Sequence, residues 1–155
     1  MSGGPLASAT ASSARAMWTS CLVDTGALLA LVDSDDRWHS RCATALETLR
    51  LPLWTSEAVL TELFYLLGRR KREIVQTWRY LRSGVVSVLP LGDADLPGLQ
   101  DLMERYQDRP MDFADATLVL LARRESVSTV FTIDHDDFET YRIDGRRRFR
   151  IVPSR

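Results

Sequence analysis

Short apolar runs alternate with longer stretches of helical period along the chain. Cys21-Leu22-Val23 is a compact apolar run that stops at Asp24, and Thr25–Val32 follows with the character of a helix. A polar break at Asp33–Asp36 precedes Arg37–Leu51, where Trp38, Cys42, Ala45, Leu46 and Leu49 recur close to the helical period. Leu53–Thr55 predicts a second strand, and Ser56 reads as the N-cap of a helix running to about Gly68. Glu73–Leu81 predicts another helix, Val85–Leu89 a third strand and Leu96–Tyr106 a further helix. Asp112–Arg124, behind Pro110, is mostly apolar and predicts a buried helix. Thr129–Ile133 predicts a fourth strand ending at Asp134, and Phe149–Val152 is a candidate fifth. Strands alternating with helices imply βαβ units, hence an α/β fold with a central, mainly parallel sheet flanked by helices. No internal repeat or linker interrupts the pattern, so residues 20–153 read as one domain.

Composition narrows the class. The chain has 155 residues, 45% of them hydrophobic, which excludes extensive disorder and allows roughly 70% of the unfolded surface to be buried. No run approaches the roughly 20 apolar residues of a membrane span, so no membrane partner is expected. A formal net charge of −1 excludes a protein held on nucleic acid by bulk charge, so any such contact must come from local patches. Cys21 and Cys42 form neither a CxxC pair nor a disulfide framework, which points to a reducing cytoplasm. Residues 1–19 are rich in Ser, Ala, Gly and Thr, lack an apolar core and carry Arg15 as their one basic residue. They read as a disordered leader, or as residues upstream of the true start, and not as a secretory signal.

The placement of the 21 acidic residues carries the chemical information, not their number. Glu47, Asp101 and Glu104 read as solvated helix faces. Asp24 and Asp134 each follow a strand directly, and the carboxyl ends of parallel strands line the ligand crevice of an open sheet. Capping of the next helix accounts equally well for either one alone. Glu62 has Val59, Tyr65 and Leu66 at i−3, i+3 and i+4, on or beside an apolar stripe. An unpaired carboxylate there calls for an arginine or a metal. Asp115 points along the buried stripe of its helix, with Leu118 and Val119 at i+3 and i+4, while Asp112 reads as the N-cap. A first-turn acid favoured by the helix dipole is the alternative account of Asp115, weaker there than capping is for Asp112. Asp137 is either a fifth ligand or a cap over Asp137–Tyr141. Carboxylates from well-separated segments suit a hard divalent cation such as Mg²⁺, and without one their crowding raises their pKa values. With such an ion the set can polarise a phosphodiester and orient an attacking water.

Four motifs sharpen this. Val23-Asp24-Thr25-Gly26-Ala27-Leu28-Leu29-Ala30 is similar to the opening motif of PIN-domain ribonucleases, an Asp after the first strand followed by a small hydroxyl residue. Ser56-Glu57-Ala58-Val59-Leu60-Thr61-Glu62-Leu63 resembles their second motif, whose final Glu falls on Glu62. Met111-Asp112-Phe113-Ala114-Asp115-Ala116-Thr117-Leu118 resembles the third, which selects Asp115 over Asp112. Phe131-Thr132-Ile133-Asp134-His135-Asp136-Asp137-Phe138 resembles the fourth, with Asp134 completing the acidic set and Asp137 nearby. The motifs occur in the family's order between about Ser20 and Val152, and the size resembles the VapC-type toxins of bacterial toxin–antitoxin pairs. The resemblance implies a Mg²⁺- or Mn²⁺-dependent endoribonuclease, usually a homodimer, inhibited by a small antitoxin. It makes Asp24 and Asp115 the primary metal pair, with Glu62 and Asp134 as secondary ligands and Thr25 and Thr132 as supporting hydroxyls. A non-toxin RNA-processing nuclease, or a silent binding module of the same fold, are the alternatives.

Other chemistries lack their signatures. His39 and His135 with the two cysteines have no zinc-ligand spacing, and His39 reads as a helix-start residue. There is no G-x-S-x-G turn, no GxGxxG and no P-loop. Lys71 is the one lysine among 20 basic residues, which leaves 19 arginines. Arg69-Arg70-Lys71-Arg72 reads as the basic end of a helix, and Arg146-Arg147-Arg148 follows Gly145. Arg69, Arg70, Arg146 and Arg147 are candidate contacts for RNA phosphates, and a solvated surface serves each equally well. Trp38, Trp54 and Trp78 read as core or interface residues.

Overall fold

The computed structural model describes residues 20–109 and 111–155; the expected leader at residues 1–19 lies outside them. Five strands form one sheet: β1 (Cys21–Val23), β2 (Leu53–Thr55), β3 (Val86–Val88), β4 (Thr129–Phe131) and β5 (Arg150–Val152). The order is β3-β2-β1-β4-β5 and every pairing is parallel. Among the described residues seven α-helices connect and flank the strands: α1 (Thr25–Val32), α2 (His39–Leu46), α3 (Glu57–Leu67), α4 (Lys71–Arg82), α5 (Leu96–Arg105), α6 (Phe113–Arg124) and α7 (His135–Thr140). None of them is long and apolar enough to cross a membrane.

β1 and β4, in the middle of the sheet, are buried throughout because both faces are covered, and Thr129 is their one polar residue. All three residues of β1 and of β4 are buried, and so is every residue of α6 from Ala114 to Ala122. The alternation of strands and helices thus reports the architecture correctly, while several ends differ from expectation. Three predicted strands are shorter than expected, ending at Val88 and Phe131 or starting at Arg150. The helix expected over Arg37–Leu51 is confined to His39–Leu46. Before it, the Asp36 carboxylate accepts the Trp38 N–H at 2.7 Å and holds a turn. After it, the Thr48 and Leu49 N–H groups bond three residues back, so the apolar period outlasts the α-helix.

The basic run is also placed differently. α3 stops at Leu67 because Gly68 adopts φ 55°, a conformation open to glycine. Lys71 and Arg72 then open α4, so these cations sit at the helix end that disfavours them, with Glu73 offsetting them in the same turn. Cys21 and Cys42 are free and buried, and burial pushes their thiols up to about 12 and about 11.

Candidate active site

The chain leaves β1 toward β2 and β3 on one side and later returns to β4 and β5 on the other. The switch point therefore lies at the carboxyl ends of β1 and β4, where open α/β sheets form their ligand crevice. Asp24 extends the ladder by one bond, its N–H donating to the Phe131 carbonyl at 2.9 Å. Its carboxylate caps α1 through the Thr25 N–H (2.7 Å) and also accepts the Thr132 hydroxyl on its other oxygen (2.8 Å). Thr132 in turn accepts the Asp134 N–H at 3.0 Å, so one buried hydroxyl links both strand-end acids. Asp134 itself is exposed and caps α7 through the Asp137 N–H at 3.2 Å. Close packing sets this corner: a Cβ on Gly26 would stand 2.8 Å from Ile133 Cγ1, so only glycine lets α1 approach the end of β4 this closely.

Two helices bring the remaining acids. Asp112 caps α6 by accepting the Asp115 N–H at 2.8 Å, and Asp115, in the first turn, is 9% exposed. One Asp115 oxygen accepts the Tyr141 hydroxyl at 2.8 Å. α3 is fixed to α6 by the buried pair Ser56–Thr117, hydroxyl to hydroxyl at 2.7 Å, and Ser56 also caps α3 through the Val59 N–H. Glu62 accepts the Thr25 hydroxyl at 2.6 Å. It does not lie in an apolar stripe: the buried face of α3 is Val59, Leu63 and Leu67, whereas Tyr65 is 84% and Leu66 48% exposed. Glu62 sits on the shoulder between those faces, half-buried.

The charge balance of this corner is one-sided. Six ion pairs engage Asp33, Asp95, Glu125, Asp144, Asp136 and Glu139. Among the described residues, none engages Asp24, Glu62, Asp112, Asp115, Asp134 or Asp137. Burial pushes Asp24 up to about 6, against the Thr132 and Thr25 hydrogen bonds, and the Glu62 and Asp112 charges add to the rise. Burial likewise pushes Asp115 up to about 8, with the charges of Asp24 and Asp112 next in weight and the Tyr141 hydrogen bond opposing. Asp137 is raised as well, by burial and then by Asp134. Asp24 and Asp115 are thus two buried carboxylates that repel one another without a protein cation. Among the described residues no three acid, imidazole or thiol side chains form a ready-made cage. The oxygen donors nonetheless fit Mg²⁺, which binds through one or two carboxylates and completes its shell with waters and substrate oxygens.

Of the candidate basic contacts, Arg69 and Arg70 lie away from Asp24. Arg70 pairs with Asp33 at 2.6 Å, at the far end of α1, about 12 Å of helix from Asp24. Arg69 is exposed at the same α3–α4 junction. Arg147 is held by Asp144 at 2.7 Å, and Arg146 donates its N–H to the same carboxylate, both in the exposed stretch before β5. His39 starts α2 and reaches the Ala30 carbonyl at 2.7 Å. Arg109 and Tyr141, beside the acids, carry no local sequence signal, and the expected N-cap Asp112 has a second effect. Asp112 bears electrostatically on Asp24, Asp115 and Asp137 as well as capping α6. Arg109 is the cation whose charge opposes the rise at Asp137, and its guanidinium bonds Thr140. Tyr141 reaches Asp115 across 26 residues of sequence, a separation that no local pattern reports.

A five-stranded parallel sheet with acids gathered at its β1–β4 switch point defines an α/β protein with an acidic crevice. Residues 21–144 match the PIN domain model, and the chain belongs to the PIN domain family. It is 30% identical over 134 residues to Ribonuclease VapC26 of Mycobacterium tuberculosis (strain ATCC 25618 / H37Rv), a match covering 85% of this chain and 99% of that protein. Its fold is similar to the crystal structure of Mycobacterium tuberculosis VapC20, described as a sarcin–ricin loop cleaving toxin. The TM-score is 0.68 at 26% identity, over 76% of this chain and 92% of that one.

Proposed function

We propose that this protein is a divalent-cation-dependent endoribonuclease and the toxin of a toxin–antitoxin pair. The observation that carries the reading is the burial of Asp24 and Asp115 together, which raises both pKa values, with no cation paired to either among the described residues. Its relatives support the direction, one named a ribonuclease and the other described as a sarcin–ricin loop cleaving toxin. Asp24 and Asp115 would hold Mg²⁺ or Mn²⁺, with Glu62 and Asp134 as further ligands or water partners and Asp137 beside them. When bound, such a cation supplies Lewis-acid polarisation of a phosphoryl oxygen and lowers the pKa of a water. The chain's own groups do the rest. Thr132 and the Thr25 N–H orient Asp24, Thr25 orients Glu62, and the α6 cap sets the first turn that carries Asp115. Water attacks phosphorus, one phosphorus–oxygen bond breaks, and the leaving oxygen takes a proton; no covalent enzyme intermediate is required. A cytoplasmic setting, a homodimer and a small antitoxin partner belong to the same proposal.

The test is incubation of purified protein with structured and single-stranded RNAs in Mg²⁺, Mn²⁺ or EDTA, alongside Asp24→Asn and Asp115→Asn. Internal cleavage that needs both metal and each carboxylate is expected. A folded, antitoxin-free protein that cuts equally well in EDTA, or equally well as Asp115→Asn, overturns the reading. Tight RNA binding without cleavage would identify a binding module instead.

A further inference from the structure

Three carboxylates of the crevice share a mode of support. Thr132 donates to Asp24 at 2.8 Å, Thr25 to Glu62 at 2.6 Å and Tyr141 to Asp115 at 2.8 Å. Each acid is held on one oxygen by a neutral hydroxyl, which fixes its orientation without cancelling its charge; an arginine or lysine would do the first and undo the second. Glu62 and Asp115 each keep their second oxygen without a hydrogen-bond partner among the described residues.

Tyr141 is built into that position. It is fully buried, lies edge-on to Tyr106 (5.1 Å between ring centres) and to Phe138 (5.4 Å), and its N–H is bonded to the Asp137 carbonyl at 3.0 Å. The end of α7 thereby delivers the phenol to the first turn of α6. From this geometry the structure assigns Tyr141 as a positioning residue for the cation site, one that fixes the Asp115 carboxylate for a hard divalent ion. The assignment rests on the metal-dependent reading above. It differs from simple satisfaction of a buried hydroxyl, which would leave cation affinity untouched.

The experiment compares wild type, Tyr141→Phe and Phe138→Leu. Mn²⁺ affinity is measured by calorimetry without RNA, cleavage kinetics with a fixed RNA, and folding by circular dichroism. Loss of the hydroxyl is expected to weaken Mn²⁺ binding about 10–100-fold and lower kcat by a similar factor, with KM for RNA unchanged. Phe138→Leu loosens the same aromatic packing but keeps the hydroxyl, and is expected to lower Tm while weakening Mn²⁺ binding less than Tyr141→Phe does. The reverse order of the two affinities would make the role of Tyr141 one of packing and overturn the assignment. Unchanged affinity and kcat in a folded Tyr141→Phe protein overturn the assignment. If that variant does not fold, the wild type decides the matter. A Mg²⁺ titration followed by tyrosine Cζ NMR should move the Tyr141 resonance while that of exposed Tyr65 stays fixed, and a Tyr141 signal constant through saturation overturns it equally. Wild type that neither binds Mn²⁺ nor cleaves defeats the nuclease reading itself, whereas wild type that does both beside an unaffected Tyr141→Phe defeats only the tyrosine assignment.

Discussion

Thr129 opens β4 and Thr132 directly follows it, both buried, and the two offer isosteric substitutions of opposite sign. The Thr132 hydroxyl donates to Asp24 and accepts the Asp134 N–H, so Thr132→Val removes two bonds at once. The first loss is limited because Asp24, at about 6, can escape by taking a proton, which costs about 1.4 kcal/mol at pH 7. Losing the acceptor of the Asp134 N–H adds about 0.5–1.5 kcal/mol. The sum is about 2–3 kcal/mol, or roughly 4–12 °C in Tm for a chain of this length. Below about pH 5 Asp24 is protonated in both proteins, so the carboxylate part vanishes and the cost falls toward about 1 kcal/mol. Thr129→Val is the control: its hydroxyl is buried with no partner among the described residues, so valine should be neutral or stabilise by about 1 kcal/mol. Thermal and urea unfolding in EDTA at pH 5 and pH 7 measures both. A Thr132→Val protein within 1 °C (about the precision of the scan) of wild type at pH 7, or equal losses from the two substitutions, refutes the reasoning.

Asp115 takes its proton far more readily folded, at about 8, than unfolded, at 3.8. The stability it contributes to the metal-free protein is therefore complete below about pH 4 and is lost as pH rises through 8. Urea unfolding in EDTA from pH 5 to 9 should show wild type falling relative to Asp115→Asn, with Mg²⁺ restoring it; parallel pH profiles would contradict this. Gly26→Ala places a Cβ against Ile133 Cγ1 and should cost about 1–3 kcal/mol, with part recovered in the double substitution with Ile133→Ala; strict additivity of the two losses would show that they do not meet. Arg109 is the cation whose charge reaches Asp137 at the crevice, where an RNA phosphate would approach the acids. If it meets that phosphate, Arg109→Gln raises KM for RNA severalfold, leaves kcat unchanged and reduces the slope of log affinity against log salt by about 0.7–0.9, and an unchanged salt slope would rule the contact out.

Much of this site was legible because strand ends are legible. The runs Cys21–Val23 and Thr129–Ile133 stop at polar residues, and parallel topology then brings Asp24, Thr132 and Asp134 to one edge. Asp115 stood out as an acid in a helix buried nearly all round. Glu62 was found for a partly mistaken reason, since the apolar residues one turn ahead of it, Tyr65 and Leu66, face solvent. Helical spacing reports which residues share a face and leaves open whether that face is covered. The basic run failed as an end marker because Gly68, two residues before Arg70, had already closed α3. Tyr141 and Arg109 reach the acids only through the packing of α7 and the segment before α6, and no local period encodes such contacts.

The hydrogen bond between Thr132 and Asp24 joins residues 108 positions apart. A ribosome adding about 5–20 residues per second needs roughly 5–20 s to deliver the second partner after the first. Throughout that interval the emerging polypeptide holds fragments of the crevice and no crevice, because β1 can pair with β2 but cannot gain its other neighbour before β4 has been made. Whatever activity the crevice has is thus withheld from the nascent chain by topology alone. A translation product cut short before β4 would be inert, and a partner protein synthesised alongside has those seconds in which to be ready.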